Sequence, residues 1–340
     1  MLTRVHKMLI GLLVVQLALA IVTLSRDDDA APAKEQPILA GFDAAQVTRL
    51  QVFDGASDKP LDLVKQDTGW VLASSFQYPV IETKVTDVLS QLASMRAATP
   101  MATQASRHKQ LRVADEDFAR KLVVTAGGED LTLYLGAPAG ARRTAVRVGD
   151  DARVFAVSGP STYAIATTAS AWVEPSYVKL PRDELAKVVI QQGSQTTELS
   201  RDADGGTWTV TLGGAPLTLA TGETLDTSAI DRIVDAAATI DLTSPADPAR
   251  DASTPTATIT LERKATGAAS PAPTVIDVVA EGGSYWVRER GRAHAVLVDA
   301  SRLEHVLGVT RDKLVTRPAE AGTTSQSSGT PSGASTTRSG

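Results

Sequence analysis

The chain has no cysteine among its 340 residues. That excludes disulfides, thiolate nucleophiles, iron–sulfur clusters and cysteine-ligated zinc, and it removes the attachment point for a lipoprotein lipid. Aromatic residues make up only 4% of the sequence, too few for a broad aromatic binding surface. Histidine stands only at His6, His108, His294 and His305; no two are four apart and no His-Glu-x-x-His occurs, so no zinc-binding helix is encoded. Neither sign of charge dominates, with 34 basic against 39 acidic residues and a net charge of −5. There is no basic stripe, so nucleic acid is not an expected partner. The arginine groups Arg142-Arg143 and Arg288 to Arg292 are interleaved with acidic or apolar residues and read as solvated strand faces.

Catalytic signatures are scarce as well. No Gly-x-Ser-x-Gly, phosphate loop or dinucleotide fingerprint occurs. Ser176-Tyr177-Val178-Lys179 fits Ser-x-x-Lys in form, but Pro175 and Pro181 bracket it where a helix would be required. Asp202-Ala203-Asp204-Gly205 opens like a calcium loop, yet Gly213 stands where the closing acidic ligand belongs, which makes a hairpin turn the better reading. The expectation is a non-enzymatic protein with no catalytic residue, metal ligand or cofactor. A hydrolase with an unrecognised site is a third-ranked reading.

What the sequence does contain is a duplication. Val47, Leu50 and Val52 correspond to Leu185, Val188 and Ile190 at one constant offset, and the same offset carries Trp70 onto Trp208. Alternation around Leu61–Val64 and Trp70–Leu72 predicts half-buried strands. A helix follows in each copy. Val85, Val88, Leu89, Leu92 and Met95 form one apolar stripe, and Ile230, Ile233, Val234, Ala237 and Ile240 repeat its spacing. Asp226 or Thr227 is the expected N-cap of the second. Further strands pair Leu122 and Val124 with Ile259 and Leu261, Leu131–Leu135 with Val275–Val278, and Val146-Arg147 with Val287-Arg288. Short helices are expected near Ser161–Ser170 and Ser301–Leu307, and a linker near Glu174–Pro181. Both tryptophans read first as core plugs between sheet and helix; the alternative is a stacking platform for a sugar or peptide at Trp70 and Trp208.

The N-terminus speaks for a compartment. Arg4, His6 and Lys7 precede an unbroken apolar run from Met8 to Leu24, followed by Arg26 and Asp27-Asp28-Asp29. About 17 helical residues span roughly 25 Å, just enough to cross a hydrocarbon core. Basic residues before it place the N-terminus in the cytoplasm and the bulk outside. Ala18-Leu19-Ala20 resembles a signal-peptidase site, but apolar Ile21 to Leu24 continue past it, so an uncleaved anchor is favoured.

The expected layout is therefore a basic stub at 1–7, a transmembrane anchor at 8–24, a flexible tether at 25–38, α+β repeats at 39–178 and 179–318, and a disordered tail at 319–340. Each repeat is a mostly antiparallel sheet with a packed helix.

Gly69-Trp70-Val71-Leu72 with Tyr78-Pro79, the Val85–Met95 helix, and Leu133-Tyr134-Leu135-Gly136 with the Arg147 strand together resemble the bacterial domain of unknown function 4340 family (DUF4340). The second copy lacks the Tyr-Pro and Leu-Gly details. The resemblance implies a membrane-anchored envelope protein with protein partners. It implies a scaffold, an accessory subunit of an ABC-type export or gliding-associated system in the inner membrane and periplasm. The alternative is a periplasmic glycan- or peptide-binding module using the cleft between repeats. The family carries no established catalytic residues, so none is transferred.

Overall fold

The computed structural model describes residues 13–17, 21, 34–56, 59–159, 161–201, 206–265 and 270–317. The expected stub and tail lie outside these residues, as do 25–33 of the tether and the Asp202–Gly205 turn. The expected anchor at 8–24 falls mostly outside them too; its described part, residues 13–17 and 21, is helical. Among the described residues no helix is long and apolar enough to cross a membrane.

The architecture is α+β, two large antiparallel sheets with few helices. The chain divides into two units, Met1–Pro175 with Thr243–Pro248, and Ser176–Leu242 with Ala249–Gly340.

In the first unit, nine strands run in the order β5-β4-β3-β2-β8-β9-β10-β11-β7. They are β2 (Val47–Phe53), β3 (Leu61–Gln66), β4 (Gly69–Leu72), β5 (Tyr78–Pro79), β7 (Pro100–Ala102), β8 (Arg120–Ala126), β9 (Glu129–Pro138), β10 (Arg143–Val148) and β11 (Val154–Ser158). Helix α1 (Glu82–Ala93) buries Val85, Val88, Leu89 and Leu92, the stripe its spacing predicts. No side chain caps its start; the Ile81 N–H bonds instead to the Trp172 carbonyl at 2.8 Å. Two further short strands, β1 (Gln36–Pro37) and β6 (Arg96–Ala97), pair with each other, so the stretch expected as tether is already ordered by residue 36.

The second unit repeats this plan. Its strands β13 (Leu185–Gln192), β14 (Gln195–Ser200), β15 (Thr209–Leu212), β16 (Ala215–Pro216), β20 (Ala257–Arg263), β21 (Thr274–Glu281), β22 (Ser284–Glu289) and β23 (Ala295–Asp299) lie in the order β16-β15-β14-β13-β20-β21-β22-β23. Helix α2 (Thr227–Ala238) buries Ile230, Ile233, Val234 and Ala237, and Asp226 caps it by accepting from the Ala229 N–H at 2.9 Å. β12 (Ser176–Lys179) pairs with β18 (Thr239–Asp241) as β1 pairs with β6.

The duplication extends to irregularities. The same interior strand of each sheet carries a register shift at the same place, between Val47 and Arg49 in β2 and between Leu185 and Lys187 in β13. A bulge bends its strand and adds local twist, so its recurrence at the same place marks the two sheets as repeats of one register. The inward residues Val47, Leu50, Val52, Leu185, Val188 and Ile190 are all buried, as alternation on a half-covered sheet requires.

Of three local expectations, two need correction and one, the short helix near Ser301–Leu307, is met in shortened form. Residues 161–168 form turns and bends, with only a single 3-10 turn at Ala169–Ala171 in place of a Ser161–Ser170 helix; the small and β-branched Ser, Thr and Ala run there has no sustained apolar stripe. The helix near Ser301–Leu307 is one turn, Ala300–Leu303, capped by Asp299, and a second short helix lies at Arg311–Leu314. The expected linker at Glu174–Pro181 contains strand β12, because Tyr177 and Val178 are buried and its backbone finds β18.

Candidate functional site

Trp70 and Trp208 are only 7% and 6% exposed. Trp70 lies in β4, which packs against α1. Trp208 directly precedes β15 and carries the Arg201 guanidinium 4.7 Å from its ring centroid. Arg201 also donates to the Leu185 carbonyl at 2.8 Å and to the Arg182 carbonyl, so it is a staple. A cavity of about 420 Å³ borders Trp208, Arg182 and the first turn of α2, and there Arg182 is ion-paired with Asp231 and Asp235. Both rings are largely enclosed, and Trp208 also borders this cavity.

The other sequence candidates do not converge. Ser176 donates to Asp241 Oδ1 at 2.7 Å and shares an extended strand with Lys179, so the helical spacing of an acyl-enzyme pair is absent. The His108 Nε2–H donates to the Ala152 carbonyl at 2.9 Å. Burial pushes His294 below its ordinary value, and its carbonyl accepts the Tyr177 hydroxyl at 2.7 Å. Among the described residues no group of three His, Asp or Glu side chains is arranged to hold a metal ion.

The first unit carries an elaboration that the second does not repeat. Residues 103–119 lie against the sheet where β9 and β10 meet. Arg147, only 2% exposed, donates to the Val113 carbonyl at 2.7 Å, to the Gly149 carbonyl and to Asp115. The hydrogen bond from Arg147 holds the Asp115 carboxyl below its usual range. The guanidinium also lies 4.0 Å from the Tyr134 ring centroid, and Phe118 meets Tyr134 edge-on at 5.9 Å. Burial, then the Asp115 hydrogen bond, raise the Tyr134 hydroxyl. Val113, Tyr134, Ala145 and Val154 form a small core there, backed by Leu111 and Phe118. Gly136 makes this possible: a Cβ on it would meet the Leu111 carbonyl oxygen at 2.0 Å and Val113 Cγ1 at 2.6 Å. The Leu-Gly at the end of the β9 motif thus has a steric reason.

Beside this elaboration lies an open groove. One part, about 330 Å³, is bordered by Gln91 of α1, the turn carrying Arg142 and Arg143, and the 161–164 turn. A second part, about 350 Å³, shares Gln91 and Ala164 and continues past Val88, Ala171 and Trp172. Tyr163, 91% exposed, stands at the first part. The turn that carries it is fixed by Ser161 Oγ, which accepts from the Ala164 N–H at 3.2 Å. The sequence by itself does not single out Tyr163 or Gln91, and there Arg142-Arg143 reads as a solvated face. The available signal was an isolated tyrosine in a small-residue stretch, which has no periodicity to interpret.

This is a two-copy sheet-and-helix protein whose first copy bears an open groove and a docked surface segment. The chain belongs to the family described as domain of unknown function (DUF4340), whose model matches residues 70–255, more than half of the chain. No curated protein and no solved structure matches it.

Proposed function

We propose that this chain is a non-enzymatic, membrane-anchored envelope protein that serves as a protein-interaction scaffold. The family resemblance points to an accessory role beside an ABC-type export or gliding-associated system. The observation that carries the reading is the groove of the first unit, where a nearly fully exposed tyrosine flanks a cavity without a catalytic constellation. Exposed aromatics and arginines concentrate binding energy at protein interfaces. The apolar run Met8–Leu24, with basic residues before and aspartates after, supports a single span with the bulk outside the cytoplasm.

The decisive experiment is cross-linking in intact membranes followed by copurification of the full chain. Recovery of envelope proteins, dependent on the folded first unit, is expected. Absence of any cross-linked protein sinks the reading. A glycan- or peptide-binding module is the second reading. Tyr163 favours it; the tryptophans, with their rings packed inside, lend it no support.

A further inference from the structure

We infer that the groove beside Tyr163 accepts an extended, acidic segment of a partner protein in which carboxylates are followed, a few residues on, by an apolar side chain. This deepens the scaffold reading and rests on it.

Charge is the first ground. Arg142 and Arg143 border the cavity and no Asp or Glu does, in a chain whose net charge is −5. Arg143 has one ion pair, to Glu35 at 4.0 Å, with both side chains more than half exposed, an arrangement that holds the guanidinium weakly. Arg142 makes no hydrogen bond or ion pair among the described residues. The tyrosine hydroxyl is a further donor that reaches solvent. Donors with little to accept from them call for a ligand made of acceptors, and a planar guanidinium matches a carboxylate in both shape and charge.

Backbone geometry is the second ground. Arg142 is held at φ +56°, in the left-handed region that a residue with a Cβ avoids. The matching hairpin of the second unit, between β21 and β22, closes on Gly282-Gly283, with Gly282 at φ +60°. The first-unit turn is two residues longer and has its own left-handed glycine, Gly140 at φ +104°, so Arg142 is an additional left-handed residue that the shorter twin turn lacks. Such a side chain kept against backbone preference is a mark of use.

The shape of the groove decides between a small anion and a peptide. The cationic cavity does not end at the arginines. It shares Gln91 and Ala164 with the second cavity, whose border joins the apolar Val88, Ala171 and Trp172 to one charge of each sign, Lys84 and Asp87. A phosphate or free carboxylate would fill only the first. Val88 and Gln91 are three residues apart on α1, an axial rise of roughly 4.5 Å, which an extended chain covers in one to two residues.

The test uses the full chain in detergent and a fluorescein-labelled decapeptide with two glutamates followed by two leucines, read by anisotropy. Binding is expected to weaken about tenfold when the glutamates become glutamines, and by a similar factor in the Arg142→Ala/Arg143→Ala variant, as loss of a charge-assisted pair predicts. Tyr163→Ala should weaken it as well, while millimolar inorganic phosphate should leave it bound. These side chains are exposed, so unchanged melting of each variant serves as the folding control. Equal binding of the glutamine peptide, indifference to the double arginine change, or displacement by phosphate overturns the inference. A photo-cross-linker at Tyr163 separates the two levels. Protein adducts in membranes without acidic-peptide binding would reject the acidic occupant and spare the scaffold; no adduct at Tyr163 together with none in whole-chain cross-linking of intact membranes would reject the scaffold itself.

Discussion

The two units share a strand order, an interior bulge and a helix stripe, yet they differ in where they tolerate unfavourable backbone. Every non-glycine residue with positive φ among the described residues, Phe76, Gln77, Arg112 and Arg142, belongs to the first unit. At the β4–β5 turn, Phe76 and Gln77 sit at φ 58° and 57°; at the corresponding β15–β16 turn, Gly213 and Gly214 sit at 57° and 83°. The hairpin that carries Arg142 is two residues longer than its counterpart and puts Arg142 at positive φ beside Gly140, where the shorter turn uses Gly282 alone. The β9–β10 face differs in kind as well. Tyr134 faces Arg147 in the first unit, and by the same register Asp277 faces Arg288 in the second. There Asp277 instead receives two bonds from Arg290, at 2.9 and 2.8 Å. The second unit solves each turn and face in the cheapest way, whereas the first retains side chains under strain and a docked segment. A duplicated scaffold allows this, because one copy can specialise while the fold is secured by rules that both obey.

The largest effect that would sharpen the contrast is expected at Gly136. Its register partner in the second unit is the half-buried Val279, a position that takes a full side chain. Gly136→Val should expel residues 103–119 and destabilise the first unit by about 3 kcal/mol, the upper end for overpacking. The reverse change, Val279→Gly, should cost about 1 kcal/mol. Urea unfolding of both variants measures this, and equal losses would erase the asymmetry.

Next comes the arginine pair. Arg147→Met leaves the Val113 and Gly149 carbonyls without their donor, a loss of about 2–3 kcal/mol. Arg288→Met, at the more open matching position with its guanidinium 5.5 Å from the Trp286 ring centroid, should lose about 1 kcal/mol. Thermal melts would show it, and a greater loss at Arg288 would contradict the assignment of the buried staple to the first unit.

The second unit has its own sensitivity, to acid. Hydrogen bonds from Arg311, from the Ala220 N–H and from Arg317 lower Glu223 from its ordinary 4.5 to about 2. A carboxyl depressed on folding stabilises fully above its ordinary value and loses that contribution as pH falls toward the folded one. Wild type and Glu223→Gln should therefore differ most in stability above pH 4.5 and converge as pH approaches 2. A difference independent of pH would remove this tie. The smallest effect belongs to the β4–β5 turn. Phe76→Gly relieves a left-handed side chain worth about 1–2 kcal/mol but adds unfolded-state entropy, for a net gain of about 0.5–1 kcal/mol. A loss of stability would show that the 46%-exposed Phe76 ring contributes packing in the folded unit.

How far the sequence could be read depends on the kind of feature. Helices α1 and α2 were legible from their apolar stripes, but the stripes overran the end of each helix: Met95 lies past α1 and Ile240 falls in β18, and of the two cap candidates, Asp226 and Thr227, Asp226 is the cap. The central strands were legible because alternation encodes which face is covered. The short strands β1, β6, β12 and β18 were not, because two to four residues carry no period. The helix expected over Ser161–Ser170 is a run of turns for the same want of a pattern. Trp70 and Trp208 could be paired from sequence, but only packing shows that both rings are enclosed.

By itself the sequence determined the duplication, the strand and helix stripes, and the absence of cysteine chemistry, because these rest on local spacing and on residue types. Tertiary structure alone decided that residues 103–119 settle over Gly136, that Arg147 lies beneath them, and that Arg142, Arg143, Gln91 and Tyr163 border one groove. Those residues come from three separate stretches of chain. Their meeting depends on how loops close across a sheet, and no local period records that.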